Sequence, residues 1–255
     1  MTSKIILNTE NIVLPDTSLC SIVRDEMINP AGGIERFVDS HVPYVEEAII
    51  ADTGSIDGTR EKLEELQGKY SNLKVIDIPF EGYASARNEA LSQVKTKRAF
   101  ILDADELLTH KEPQNDWQIL KDILKHQHHS LYSFQFLAIP FGKANFIQHN
   151  VHSRRLLNVN HSNTREIFVG ECWESLSYES NGHRIHSVQI KHFVPSNDDI
   201  IKKNDNWYLV LDDISDKEKS ALMKKRLQLW KQTPPSKVEG FNEWKKYNPL
   251  RDNYI

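Results

Sequence analysis

Apolar positions along the chain fall into short runs and helical stripes that take turns. Leu19 to Val23 is an apolar run closed by Arg24-Asp25-Glu26, which predicts a first strand after an irregular leader over 1–17. Ile34 to Ser40 predicts a short helix. Ala48, Ile49 and Ile50 lie in a buried strand over Glu47 to Ala51, stopped by Asp52. The stretch Thr53-Gly54-Ser55-Ile56-Asp57-Gly58-Thr59 is turn chemistry. Leu63, Leu66 and Tyr70 then share one stripe of a helix over Arg60 to Tyr70, with Thr59 as its expected N-cap.

The alternation repeats. Lys74 to Ile78 predicts a strand, Tyr83 to Val94 a helix, Arg98 to Leu102 a strand running into Asp103-Ala104-Asp105-Glu106, and Asp116 to Gln127 a helix. Strand and helix in this order predict an α/β fold: a mostly parallel sheet flanked by helices. The second half reads differently. Ser130 to Pro140 is a long β-like run, His152 to Tyr178 reads as strands broken by a polar loop at Asn158 to Thr164, and Ser187 to Val194 as a further strand. After Pro195 the chain turns charged and helical from Asp198 to Lys231, so residues 1–195 are expected to form one domain and 196–255 a helical C-terminal extension.

Composition narrows the class of partner. Of 255 residues, 39% are hydrophobic and 27% charged, and the net charge is -4, which leaves no electrostatic footprint for nucleic acid. Cys20 and Cys172 follow no metal-ligand spacing and read as reduced core thiols. The N-terminus lacks a basic segment followed by an apolar run, and no apolar run reaches the roughly 18 residues of a membrane span. The expected location is cytoplasmic, with room for peripheral contact at the inner membrane face through Trp207, Trp230 and Trp244 in the Lys-rich C-terminal region.

Three stretches carry chemistry. Ile101-Leu102-Asp103-Ala104-Asp105 delivers two carboxylates from the end of an apolar strand, where ligands bind in open α/β sheets. Strand alternation predicts both on one side, as two hard ligands for Mg²⁺ or Mn²⁺ with phosphates and waters completing the shell. Read by itself, the motif is equally a strand capped by solvated acids. Asp52 ends another buried strand and can accept from a nucleobase N–H, while the loop after it offers backbone amides; alone it is equally an ordinary βα turn. Arg87, in Gly82-Tyr83-Ala84-Ser85-Ala86-Arg87-Asn88, can reach a phosphate or brace the aspartates.

In this order and spacing, Val23 to Glu26, Asp52 to Thr59, Ala86 to Ala90 and Asp103 to Glu106 resemble the family 2 glycosyltransferases of GT-A fold, over roughly residues 18–195. The resemblance implies a nucleoside-diphosphate sugar donor, typically UDP-linked, a divalent cation (Mn²⁺ or Mg²⁺), and inversion at the anomeric carbon. It implies that Asp52 contacts the base, Asp103 the ribose or metal, and Asp105 the metal, with Arg87 steadying the site. Donor contacts then extend over Arg24, Glu26, Gly54, Asp57 and Ala104. The family's G-x-x-H-E stretch is matched by Gly170 to Glu174 with Trp173 in place of the His, which makes Glu174 the candidate base. A late-strand His of the family is matched by His192 as a third metal ligand, although the usual following glycine is Phe193 here. Arg154 and Arg155 match a stretch that contacts phosphate or braces a loop.

Acceptors consistent with the family are glycans, lipid-linked sugars and peptides, and residues 196–255 leave room for a membrane surface or a second subunit. Two other classes remain open at this stage: a non-catalytic sugar-nucleotide or glycan-binding module, and a haloacid-dehalogenase-type phosphotransferase, which also ends a strand in D-x-D. His126, His128 and His129 at a helix end are read as dipole-compatible surface residues, and His183 and His186 as solvated loop residues.

Overall fold

Two hydrophobic cores, one on each face of a single sheet, explain why the early strands carry unbroken apolar runs. The computed structural model describes residues 12–27, 33–108, 115–140, 147–159, 167–169, 175–177 and 182–194. The strands are β1 (Leu14–Val23), β2 (Val45–Asp52), β3 (Leu73–Asp77), β4 (Arg98–Ile101), β5 (Glu106–Leu107), β6 (Leu131–Pro140), β7 (Ile147–Asn158), β8 (Phe168–Val169), β9 (Ser175–Leu176) and β10 (His183–Val194). The helices are α1 (Ile34–His41), α2 (Thr59–Lys69), α3 (Tyr83–Ser92) and α4 (Asp116–His126).

The main sheet has eight strands in the order β3-β2-β1-β4-β7-β6-β10-β5, and β8 pairs with β9 separately. β3, β2, β1 and β4 are mutually parallel, which sets their carboxyl ends along one edge. From β7 onward the sheet is mixed: β7 runs antiparallel to β4 and β6, β10 parallel to β6, and β5 antiparallel to β10. The expected α/β fold, a sheet flanked by helices, is thus present, wholly parallel from β3 to β4 and mixed beyond.

Alternation within the strands sorts their side chains. Leu19 and Val23 of β1, Ala48 and Ile50 of β2 and Phe100 of β4 pack with Phe37 of α1, Leu63 of α2 and Leu120 of α4. Cys20, Ile22, Ile49, Ala51, Ala99 and Ile101 pack on the other face with Ala84, Ala86, Ala90 and Leu91 of α3. The small alanines let α3 lie close to the sheet. Removing a fully buried leucine such as Leu120 would cost about 2–5 kcal/mol.

Several expectations shift at their edges. β1 begins at Leu14, with a register irregularity between Leu14 and Ser18 around Asp16, whose φ is 50°. Gly58, at φ 99°, is the N-cap of α2; Thr59 is its first residue and accepts instead from the Met27 N–H at 3.0 Å. β10 starts at His183, four residues before the expected strand, and the His183 ring stacks on His129 at 4.0 Å. Burial pushes the Cys20 thiol up to about 12, in line with an inert core residue. Cys172, Glu174 and residues 196–255 lie outside the described residues.

Candidate active site

The parallel strands bring three chain segments to one edge: residues after β1, after β2 and after β4. The loop after β2 organises itself around Asp52. Gly54 N–H and Ser55 N–H both donate to Asp52 Oδ1 at 2.8 Å, as in an Asx turn. The other oxygen, Asp52 Oδ2, is buried and has no hydrogen-bond partner. A buried carboxylate oxygen without a donor costs free energy, so this position is suited to a ligand N–H.

The segment after β1 is laced to the same loop. Arg24 Nη1 donates to the Thr53 carbonyl, Asp25 N–H to Ser55 Oγ at 2.9 Å, and Ile56 N–H to Asp25 Oδ1 at 2.8 Å. Asp25 adopts φ 53°, a left-handed conformation that Asp tolerates better than most residues. Burial pushes its carboxyl up to about 6, reinforced by the negative charge of Asp57 and opposed by the Ile56 N–H and Arg24. Glu26 is buried as well. Asp57 Oδ1 accepts from Thr59 N–H at 2.9 Å, so this side chain serves the start of α2.

The segment after β4 is held by charge. β4 ends at Ile101, and a turn closed by Glu106 N–H donating to the Asp103 carbonyl at 2.9 Å follows. Strand alternation therefore does not govern Asp103 and Asp105, and the two acids meet different partners. Arg87 Nη2 donates to Asp103 Oδ1, and Arg155 Nη2 lies 3.4 Å from Asp103 Oδ2 while donating to Glu106 Oε1. Glu106 Oε2 accepts the Asp103 N–H at 3.0 Å. Burial raises the Glu106 carboxyl above the usual range; Arg155 works against this, and the negative charges of Asp103 and Asp105 add to it. Arg36 of α1, buried, donates through Nη2 to the Ala104 carbonyl at 2.7 Å and fixes the turn from below.

Asp105 is 2% exposed and its Oδ1 lies 3.7 Å from His192 Nε2. The pairing follows from register: antiparallel β5 sets Glu106 opposite His192, one residue from Asp105. The Phe136 ring packs against His192, with ring centroids 5.6 Å apart, and carries the Arg155 guanidinium at 5.2 Å. Among the described residues no three carboxylate, imidazole or thiol groups form a closed cation cage. Asp105 and His192 nevertheless fit a cation that takes its remaining ligands from phosphates and water, as Mg²⁺ commonly does. The sequence makes Asp103 a contact of the ribose or the metal; in the structure its carboxylate pairs with Arg87 and Arg155.

Sequence reasoning named Arg24, Glu26, Asp52, Gly54, Asp57, Arg87, Asp103, Ala104, Asp105 and His192, and the structure brings these segments to one sheet edge. It missed Arg36 and the roles of Glu106 and Asn88, and left Arg155 undecided. An arginine in Arg155-Leu156-Leu157, an apolar strand sequence, needs a buried counter-charge, and that was the available signal for Glu106. Arg154 is exposed and belongs to no part of this network.

The glycosyl transferase family 2 model matches residues 28–164, more than half of the chain. Among solved structures, S. aureus TarS 1-349 is similar at 13% identity and TM-score 0.44, over 80% of this chain and 68% of that one. The same protein in complex with UDP-GlcNAc is similar at 19% identity and TM-score 0.39, over 48% and 35%. The mannosyltransferase PcManGT from Pyrobaculum calidifontis, in complex with GDP-Man and Mn²⁺, is similar at 21% identity and TM-score 0.37, again over 48% and 35%. The chain spans only 22% to 36% of the length of the first three matched TarS structures. No curated protein matches it. With four sequence motifs gathered at one sheet edge and the family model covering most of them, the chain belongs to glycosyl transferase family 2.

Proposed function

We propose that the chain transfers a sugar from a nucleoside diphosphate, UDP-linked, to a glycan, lipid-linked or peptide acceptor, with inversion and with Mn²⁺ or Mg²⁺. The setting is cytoplasmic synthesis of a lipopolysaccharide or other glycoconjugate, with residues 196–255 meeting the acceptor, the inner membrane face or a second subunit. The observation that supports this best is the coexistence, on one sheet edge, of the donor-hungry Asp52 Oδ2 and the Asp105–His192 pair.

Each residue has a distinct task in this reading. Asp52 Oδ2 accepts an N–H of the base, while Oδ1 stays committed to Gly54 and Ser55. Arg87 and Arg155 hold Asp103 still, so that the ribose meets a fixed acceptor. Asp105 and His192 are the residues that would hold the cation. When bound, that cation supplies Lewis-acid stabilisation of the charge on the leaving diphosphate. Glu174, assigned by resemblance, takes the acceptor hydroxyl proton on its carboxylate oxygen from the side opposite the leaving group.

A panel of UDP- and GDP-linked sugars, incubated with and without Mn²⁺, tests the proposal. Release of nucleoside diphosphate from one donor in Mn²⁺ is expected, and Glu174→Gln should slow it by about 10²–10⁴ while donor affinity survives. Absence of release and transfer for every donor would contradict the enzymatic reading. Normal turnover of Glu174→Gln would remove that residue as the base.

A further inference from the structure

The neighbour of Arg87 on α3 does something that no motif reading assigned. Asn88 Nδ2 donates to the Phe168 carbonyl at 2.8 Å, and Phe168 N–H donates to Asn88 Oδ1 at 2.9 Å. The side-chain amide thus pairs with one residue of β8 as a neighbouring strand would. It does so while 7% exposed, where each of these groups needs a partner. β8 is two residues long and pairs with the equally short β9 through Phe168 opposite Leu176. A pair of such strands does not hold a position by itself. Its anchors are the Asn88 amide and the apolar cluster that Ile167 and Phe168 share with Ala84, Ala86 and Ala90 of α3.

Two adjacent residues of one helix therefore face two parts of the molecule. Arg87 holds Asp103 beside the donor edge. Asn88 holds the strand pair whose connecting sequence, 170–174, ends in Glu174 immediately before Ser175 of β9. We propose that Asn88 is a positioning residue that sets the β8–β9 pair at a fixed distance from the donor edge, so that donor and acceptor chemistry are aligned. The inference rests on the transferase reading for its kinetic consequence, but the clamp itself does not.

The test uses the full chain as Asn88→Ala and Asn88→Asp, each checked for folding by its melting transition. In Asn88→Ala, hydrogen exchange of the amides of β8 and β9 should quicken by about tenfold or more, while β1, β2 and β4 stay protected. Affinity for UDP with Mn²⁺ should stay within about twofold, and donor KM likewise, while kcat falls by up to about a hundredfold, the loss expected of misplaced groups. Asn88→Asp keeps the acceptor for Phe168 N–H but turns an oxygen toward the Phe168 carbonyl. Its kcat relative to the unsubstituted chain should recover as pH falls, because a protonated carboxyl can donate there. Unchanged exchange would overturn the clamp, and unchanged kcat would overturn its positioning role. Loss of UDP affinity in step with kcat would also overturn it, by placing Asn88 in the donor site. Failure of the unsubstituted chain to bind UDP would instead sink the donor reading, leaving the exchange comparison to decide the clamp.

Discussion

Two aspartate segments at the same sheet edge are built in opposite ways. Asp52 is fixed by its own loop: the donors to Oδ1 are Gly54 and Ser55, two and three residues away. Asp103 is fixed by Arg87 from α3 and Arg155 from β7, 16 and 52 residues away. The first arrangement needs only local turn chemistry and leaves an oxygen for a ligand. The second needs the whole sheet assembled before its charges meet. A loop that pre-forms keeps its shape by itself, whereas a charge network ties several strands into one unit at the edge where the donor is proposed to bind.

Breaking the long-range network should have the largest effect. Arg155→Met leaves Glu106 buried without its guanidinium, so unfolding free energy should fall by about 3–5 kcal/mol, read in urea melts. A loss below about 1 kcal/mol would mean that the network does not join the strands. On the local side, Asp25 has a carboxyl raised to about 6, so its contribution to stability is lost as pH rises from about 4 to 6. Asp25→Asn should therefore gain on the unsubstituted chain across that window, by about 2 kcal/mol at pH 7 relative to pH 4. A difference that stays flat with pH would refute the buried, ionised Asp25.

Gly54→Ala probes the loop itself. Gly54 sits at φ 99°, and a Cβ there would lie 3.2 Å from Arg24 Nη1. Stability should drop by about 1–2 kcal/mol and UDP binding should weaken, because the strain falls on the amides that fix Asp52. The smallest effect belongs outside both segments. The His183 ring stacks on His129, and burial together with the charges of His129 and His186 lowers its pKa. Melting temperature should then decline as pH falls through the imidazole range, and His183→Gln should flatten that decline without touching UDP binding.

The same contrast explains what the sequence made legible. Asp52 to Thr59, the end of β4 and the helices α2 to α4 follow from period, turn residues and strand ends, all local signals. The convergence of Asp105 with His192 was available only through family resemblance, since it depends on β5 pairing with β10. The partners of Asp103 were not legible because β4 stops at Ile101, where strand alternation loses its meaning. Arg36 under Ala104 and Asn88 on Phe168 are contacts across 68 and 80 residues, and no periodicity announces them.

Calorimetric titration of UDP into the full chain, with and without Mn²⁺, on the unsubstituted protein and Asp105→Asn, addresses the cation site directly. The account predicts that Mn²⁺ tightens UDP binding by about tenfold or more in the unsubstituted chain and has no effect in Asp105→Asn. Equal tightening in both proteins, or none in either, would contradict it.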